Sequence, residues 1–326
     1  MTFAPLSLEL LGLVVGAVLI DLAIGDPPWL PHPVVGIGRV IARLERAWNR
    51  GPAAARRRRG LWLAALVVGG TWAIAWGLLA ALARWSPWLA GVVELGLLAT
   101  ALATRGLAQA ARAVGEPLGR GELAEARRQL AMIVGRDTEH LDEAEVTRGT
   151  VETVAENTVD GITAPLCWAL LGGAPLALAY KAVNTLDSMV GHRSPRYEDF
   201  GKASARLDDA ANWLPARLTA LAMGLAARAI PRSRVVGALA ATRREAPCHP
   251  SPNAGWPEAM MANLLGVRLG GLNHYGGRPS PRPTLGRPLE PLAAGHIERA
   301  IRHMQAGWLG MLILLTSLVL IREWLT

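Results

Sequence analysis

Along this chain, long apolar runs alternate with segments dense in acids, amides and arginines. Residues 61–83 carry no charge and residues 304–321 carry none either, each close to the ~20 residues that a membrane-crossing helix needs. Residues 86–104 return with only Glu94 interrupting them, and residues 6–25 hold an apolar run between Glu9 and Asp21. A span there must tilt, end near Asp21 or bury that carboxylate against protein. Four spans are therefore expected near 6–25, 61–83, 86–104 and 304–321. Two further apolar segments leave alternatives open. Residues 162–183 are split by Gly172, Gly173 and Pro175 into halves too short to cross, and read either as a kinked span or as a re-entrant hairpin. Residues 213–230 carry Arg217 and Arg228 and either span marginally or lie in the interface. If neither crosses, four spans remain and every motif-bearing loop faces the cytoplasm.

Between the apolar runs the pattern changes. Residues 25–40 contain Asp26, four prolines and His32, a composition that opposes regular helix and predicts a rigid extended loop. Helical periodicity returns from Gly36 to Asn49, with Val40, Ile41 and Leu44 opposite Arg39, Arg43 and Arg46, as in an interfacial helix. Residues 105–134 read as an amphipathic helical pair broken at 115–121, and residues 251–288 as loop rich in Gly and Pro. Strand patterns are nearly absent. The expected fold is all-α: a polytopic integral membrane helical protein with large polar cytoplasmic loops and interfacial or re-entrant helices, one membrane-embedded domain over 1–326.

Composition agrees, since 51% of residues are hydrophobic and only 18% charged, unlike a cytosolic domain. The net charge of +8 comes almost entirely from arginine, because Lys181 and Lys202 are the only lysines. Four consecutive arginines at 56–59 precede the run at 61–83, which places them in the cytoplasm beside the lipid bilayer. No groove-reading motif is present, so nucleic acid is not an expected partner. Cys167 and Cys248 stand in unlike contexts and support neither a disulfide framework nor a zinc site. Glu9 ahead of the first apolar run argues against a cleaved signal and for a retained anchor.

The chemistry gathers in residues 135–218. On a helix from Asp142 to Asp160, the residues Glu145, Glu152, Glu156 and Asp160 fall within about one quarter of the circumference. Such a stripe either faces water or holds cations, with Asn157 beside it. Lys181, Asn184 and Asp187 share one helical flank, as an internal polar network or as part of a site. Asp208, Asp209 and Asn212 repeat the theme as a surface pair or as metal ligands. Gly135, Arg136, Asp137 and Thr138 offer a guanidinium fork and a cap for the next helix, and His192 with Arg193 forms a second cationic turn. Ser251, Asn253 and Gly255 make a loop suited to phosphate or amide groups, or simply a turn. No nucleotide-binding, zinc-protease or serine-hydrolase motif is present.

The stretches GDPPWLPHPV (25–34), VGRDT (134–138), VETVAENTVDG (151–161), GGAPLALAYKAVNTLDSMVGHR (172–193), LDDAANWLPARLTA (207–220) and SPNAGWPEA (251–259) together resemble the adenosylcobinamide-phosphate synthase family of cobalamin biosynthesis, called CobD or CbiB. The resemblance implies an amide ligase of the bacterial cytoplasmic (inner) membrane, using ATP and Mg2+. It would join the propionate carboxyl of adenosylcobyric acid, a corrinoid, to aminopropanol or its O-phosphate, alongside other membrane proteins of the late cobalamin pathway. On that reading Glu152, Glu156 and Asp160, with Asp208 or Asp209, hold MgATP. Arg136, Lys181 and Arg193 neutralise phosphate and the developing oxyanion. Asn157, Asn184 and Asn253 orient the corrin edge or the amine, and His32 or Asp187 is the base. Asp26, Asp137, Thr138, His192, Asn212, Ser251 and Gly255 line the substrate and phosphate sites. The alternative is a non-catalytic membrane regulator of the same architecture, and a transporter is opposed by the lack of an inverted repeat.

Overall fold

The computed structural model describes residues 4–27, 32–192 and 194–325. Helix α1 (Leu8–Ile24) is capped by Ser7, and α2 (Pro33–Trp48) by His32, with Pro33 in its first turn. Pro33 there costs nothing, because the first-turn N–H groups have no partner within a helix, so α2 begins three residues before the expected Gly36. The chain continues through α3 (Ala53–Trp85), α4 (Pro87–Ala99), α5 (Thr104–Gly119) and α6 (Leu123–Ala131). Next come α7 (Glu143–Thr158), a π-helical turn at Val159–Thr163 and α8 (Ala164–Val190). Helices α9 (Lys202–Ala226), α10 (Ala238–Glu245) and α11 (Gly255–Leu265) precede the strands β1 (Leu269–Tyr275) and β2 (Arg278–Leu285), and α12 (Gly295–Leu325) ends the chain.

Among the described residues four helical stretches are long and apolar enough to cross a membrane: Ala53–Trp85, Pro87–Gly119, Glu143–Val190 and Gly295–Leu325. The all-α polytopic membrane fold is as expected, and the stretches include the expected spans near 61–83, 86–104 and 304–321. At 17 residues, α1 is about 25 Å long, at the lower end of the ~17–25 residues of a crossing helix, and Asp21 is buried, at 2% exposure. The ambiguous segment at 162–183 lies within the third of these stretches, which is broken at Gly172 and Gly173. The segment at 213–230 lies in none of them.

The chain divides into two compact units. The first comprises Met1–Ala103, Ala164–Asn212 and Leu315–Thr326. Its core packs Ile37 and Ile41 of α2, Leu63 and Val67 of α3, and Leu186 and Val190 of α8 around Phe200. Gly60 lets α3 approach that aromatic, since an added Cβ would lie 1.9 Å from the Phe200 carbonyl oxygen. Within α8 the helix is broken, at Gly172 (φ −161°, ψ 27°) and Gly173 (φ 64°, ψ −159°). The broken end is closed by Glu94 of α4, whose Oε1 accepts from the Ala174 amide at 3.2 Å. This long-range cap satisfies a donor that hydrocarbon would leave unpaired. Gly173→Ala should destabilise this unit strongly, because the positive φ disfavours a side chain and the new Cβ would sit 2.2 Å from Glu94 Oε1. A fall in thermal midpoint in detergent of several degrees checks it, and an unchanged midpoint would remove Glu94 as the cap.

The second unit comprises Thr104–Thr163 and Trp213–Leu314, and in it α5, α6 and α11 pack on α7. The antiparallel hairpin β1–β2 lies where loop was expected. Gly276 (φ 57°) and Gly277 (φ 74°) make its two-residue turn, both positions requiring positive φ. Pro279, Pro281 and Pro283 alternate along β2, so their missing N–H groups all fall on one side and the intervening residues carry the ladder. A bulge between Leu269 and Gly271 shifts the register.

Candidate functional site

Two polar clusters emerge, one in each unit. In the first unit the last turns of α8 and the first turns of α9 hold Asn184, Asp187, Asp208, Asp209 and Asn212 as electrostatic neighbours. Asn212 is buried at 2% exposure. Its Oδ1 accepts from the Tyr180 hydroxyl at 2.8 Å and its Nδ2 donates to Asp208 Oδ2 at 3.1 Å. The other oxygen of Asp208, Oδ1, is buried without a hydrogen-bond partner among the described residues. Burial pushes the Asp208 carboxyl up to about 7, the nearby Asp187 charge adds to this, and the Asn212 and Asn184 amides pull the other way. Gly191 is required beside Asp187, because a Cβ there would lie 1.9 Å from Asp187 Oδ1. Lys181 lies on the same flank of α8, half-buried, and His192 follows Gly191. In the same unit His32 Nδ1 accepts from the Val34 amide at 3.2 Å, which leaves its proton on Nε2, 3.5 Å from Asp26. Arg193 lies outside the described residues.

In the second unit Glu152 projects inward from α7 between two arginines. Arg136 Nη2 donates to its Oε2 at 2.5 Å, Arg148 Nη1 to its Oε1 at 3.2 Å, and the Gly270 amide to the same Oε1 at 2.8 Å. The side chains of Arg136, Arg148 and Glu152 are 7%, 9% and 6% exposed. Burial alone lowers the pKa of Arg136, but the Glu152 carboxylate more than reverses this and leaves it above the ordinary value. Both arginines also grip the hairpin: Arg136 Nη1 donates to Asn273 Oδ1 at 2.9 Å and Arg148 Nη2 to the Leu272 carbonyl at 3.1 Å. Gly149 leaves room for this, since a Cβ there would meet Leu130 at 3.3 Å and Arg136 Nη1 at 3.6 Å.

Several expectations change on this geometry. The residues Gly135 to Thr138 do not cap α7, which is capped by Asp142 accepting from the Glu145 amide at 2.8 Å. Asp137 instead accepts from the Gly276 and Gly277 amides at 2.9 and 2.7 Å, bonds that hold its carboxyl below the usual range, and Thr138 is buried behind it. The acidic stripe does not stay on one face: Glu152 is buried, Glu156 is exposed, and Asp160 falls in the π-helical turn. Asn157 donates to the Thr153 carbonyl of its own helix. Among the described residues no three of His, Cys, Asp and Glu converge at metal-holding distance.

The loop before α11 is built as a cap. Ser251 Oγ accepts from the Asn253 and Ala254 amides at 3.3 and 3.2 Å, and Gly255 is required because a Cβ would lie 2.5 Å from the Ala246 carbonyl oxygen. Asn253 Oδ1 accepts from Arg217, whose guanidinium lies over the rings of Trp213 at 4.3 Å and Trp256 at 4.9 Å. Behind this loop are two groups that sequence spacing did not single out together, His249 and Glu258, with Nε2 and Oε1 3.7 Å apart and both side chains 3% exposed. Burial lowers the pKa of His249 and raises that of Glu258, where the charge of Glu152 adds to the effect. Both shifts favour the neutral forms over an ion pair. Their positions, nine residues apart across a helix start, carry no spacing signal.

A helical membrane protein with two inward-facing polar clusters is the class that fold and site define. A family model described as CobD/CbiB protein matches residues 14–304, and the chain belongs to that family. It is 50% identical over 311 residues to the cobalamin biosynthesis protein CobD of Klebsiella pneumoniae, covering 94% of this chain and 96% of that one. It is 52% identical to CobD of Geobacter metallireducens, covering 94% and 95%, and 47% identical to the cobalamin biosynthesis protein CbiB of Salmonella typhimurium, covering 93% and 95%. No solved structure matches the chain. The family places the protein in cobalamin biosynthesis.

Proposed function

We propose that the chain is an ATP-dependent, Mg2+-requiring amide ligase of the bacterial cytoplasmic membrane. It joins adenosylcobyric acid to aminopropanol or aminopropanol O-phosphate and releases adenosylcobinamide or its phosphate. The observation that carries the reading, beside family membership, is Asp208: a carboxylate neighboured by Asp187 and Asp209, with one buried oxygen that has no hydrogen-bond partner among the described residues. Mg2+ is commonly held by one or two carboxylates together with substrate phosphates rather than by an all-protein cage. The residues fit that mode, with Asp208 and Asp209 the ligands and Glu152 excluded because its oxygens are already taken. When bound, MgATP supplies the phosphoryl group that turns a poor acyl donor into a good one.

The residues of the chain then hold and orient. Lys181 neutralises phosphate charge, Asn184 and Asn212 fix the geometry around Asp208, and Asp187 takes the proton from the incoming ammonium. Purified protein in nanodiscs, given MgATP, adenosylcobyric acid and aminopropanol phosphate, is expected to form the amide only when nucleotide is present. Folded protein that forms no amide under these conditions sinks the ligase reading and leaves the non-catalytic regulator.

A further inference from the structure

One corner of the first unit lies outside the polar cluster described there. Where α2 ends and α3 begins, Glu45, Arg46, Asn49, Arg50, Arg56 and Arg196 line a cavity of about 360 Å³, within the ~300–1,000 Å³ of small-ligand sites. Four arginines thus face one carboxylate. That carboxylate is already satisfied: Arg196 donates to Glu45 Oε1 at 3.0 Å and Oε2 at 3.2 Å, and Asn49 Nδ2 to Oε1 at 3.1 Å. Arg56 is fixed by Asp199 at 2.8 Å and by the Pro195 carbonyl at 3.3 Å, and its Nε is buried without a partner. The connecting turn is held by Arg59, which donates to the Arg50 carbonyl at 2.9 Å. Among the described residues Arg46 bonds only to the Ala42 carbonyl of its own helix. The guanidinium of Arg50 has no partner among the described residues. The walls are therefore rigid while two guanidinium forks stay uncompensated, the arrangement that suits a phosphate.

Position along α3 indicates where that phosphate comes from. Leu61, Trp62 and Leu66 are 60%, 59% and 53% exposed at the start of a candidate span. Leu61 stands five residues beyond Arg56, which is about 7.5 Å along the axis. The pocket thus lies at headgroup depth beside the surface that meets lipid tails. Basic pockets at the cytoplasmic end of membrane helices attract anionic headgroups.

We propose that the pocket lined by Arg46, Arg50, Arg56 and Arg196 binds the phosphate of an anionic phospholipid headgroup. The test uses the full chain in nanodiscs of phosphatidylcholine with and without phosphatidylglycerol, reading retained phosphatidylglycerol by native mass spectrometry after transfer to detergent. Its readout is independent of any ligase activity. Wild type is expected to retain phosphatidylglycerol in preference to phosphatidylcholine, and the double variant Arg46→Ala with Arg50→Ala to lose roughly tenfold in apparent affinity, ~1.4 kcal/mol. A control pair, Arg39→Ala with Arg43→Ala, removes the same charge from α2 outside the cavity and should retain the lipid as wild type does. Equal loss in both pairs would mean a diffuse basic surface and overturn the proposal, as would no preference in wild type. Displacement of phosphatidylglycerol by inorganic phosphate at equal concentration would assign the pocket to a free phosphate and overturn the lipid source.

Discussion

Glu152→Gln is expected to cost the protein its stability before its activity can be measured. The substitution leaves Arg136 and Arg148, 7% and 9% exposed, without the carboxylate that both bond. Removing one partner of a buried ion pair typically costs about 3–5 kcal/mol, because the remaining charge has neither water nor counterion. Here two charges are stranded together, and the one oxygen that glutamine keeps is left to serve the Gly270 amide and both arginines. Those same arginines hold Asn273 and the Leu272 carbonyl, so the hairpin should loosen with the triad. Thermal unfolding in detergent should show a large fall in midpoint, and hydrogen exchange should rise at the β1 amides. A variant that unfolds like wild type yet loses nucleotide-dependent turnover would instead make Glu152 a ligand of the reaction.

That triad also marks the limit of what could be read from residue order. The long helices were legible because apolar runs of membrane length are local signals, as is Gly121 (φ 77°) between α5 and α6, whereas the cap of α7 was expected at Asp137 or Thr138 and falls on Asp142. The split at Gly172 and Gly173 was legible as well, although the closing group was not, since Glu94 reaches Ala174 across 80 residues. Arg136 and Glu152 both stood out as charges with a task, but their separation of 16 residues crosses a loop, and no helical spacing says that they meet. The hairpin was missed because three prolines in alternation resemble loop composition, whereas they suit a strand with one unpaired side. The grouping of Asp187, Asp208 and Asp209 depends on how α8 and α9 pack, which periodicity within either helix does not contain.

Asp208→Asn should separate a site residue from a structural one, since it is expected to stabilise the protein while disabling it. The native carboxyl is raised to about 7, against ~3.9 in an unfolded chain. A folded-state pKa above the unfolded one means that stability is full below the unfolded value and is lost as pH rises through the folded one. Wild type should therefore weaken between about pH 4 and pH 7 on account of this group. Asparagine cannot ionise and keeps the shape needed to bond Asn212, so the variant should unfold at a higher temperature than wild type at pH 8 and at nearly the same temperature at pH 4. Turnover should fall by roughly 10²-fold or more, as when a ligand or a proton-transfer group is removed. Trp fluorescence melts at the two pH values, beside the nucleotide-dependent amide assay, measure both effects. A variant that is less stable than wild type at pH 8 and still turns over would make Asp208 a packing partner of Asn212, with its unpartnered oxygen of no use to the reaction. Stabilisation joined to inactivity would show that the ionisable group is kept against the fold's own preference, for the reaction and not for packing.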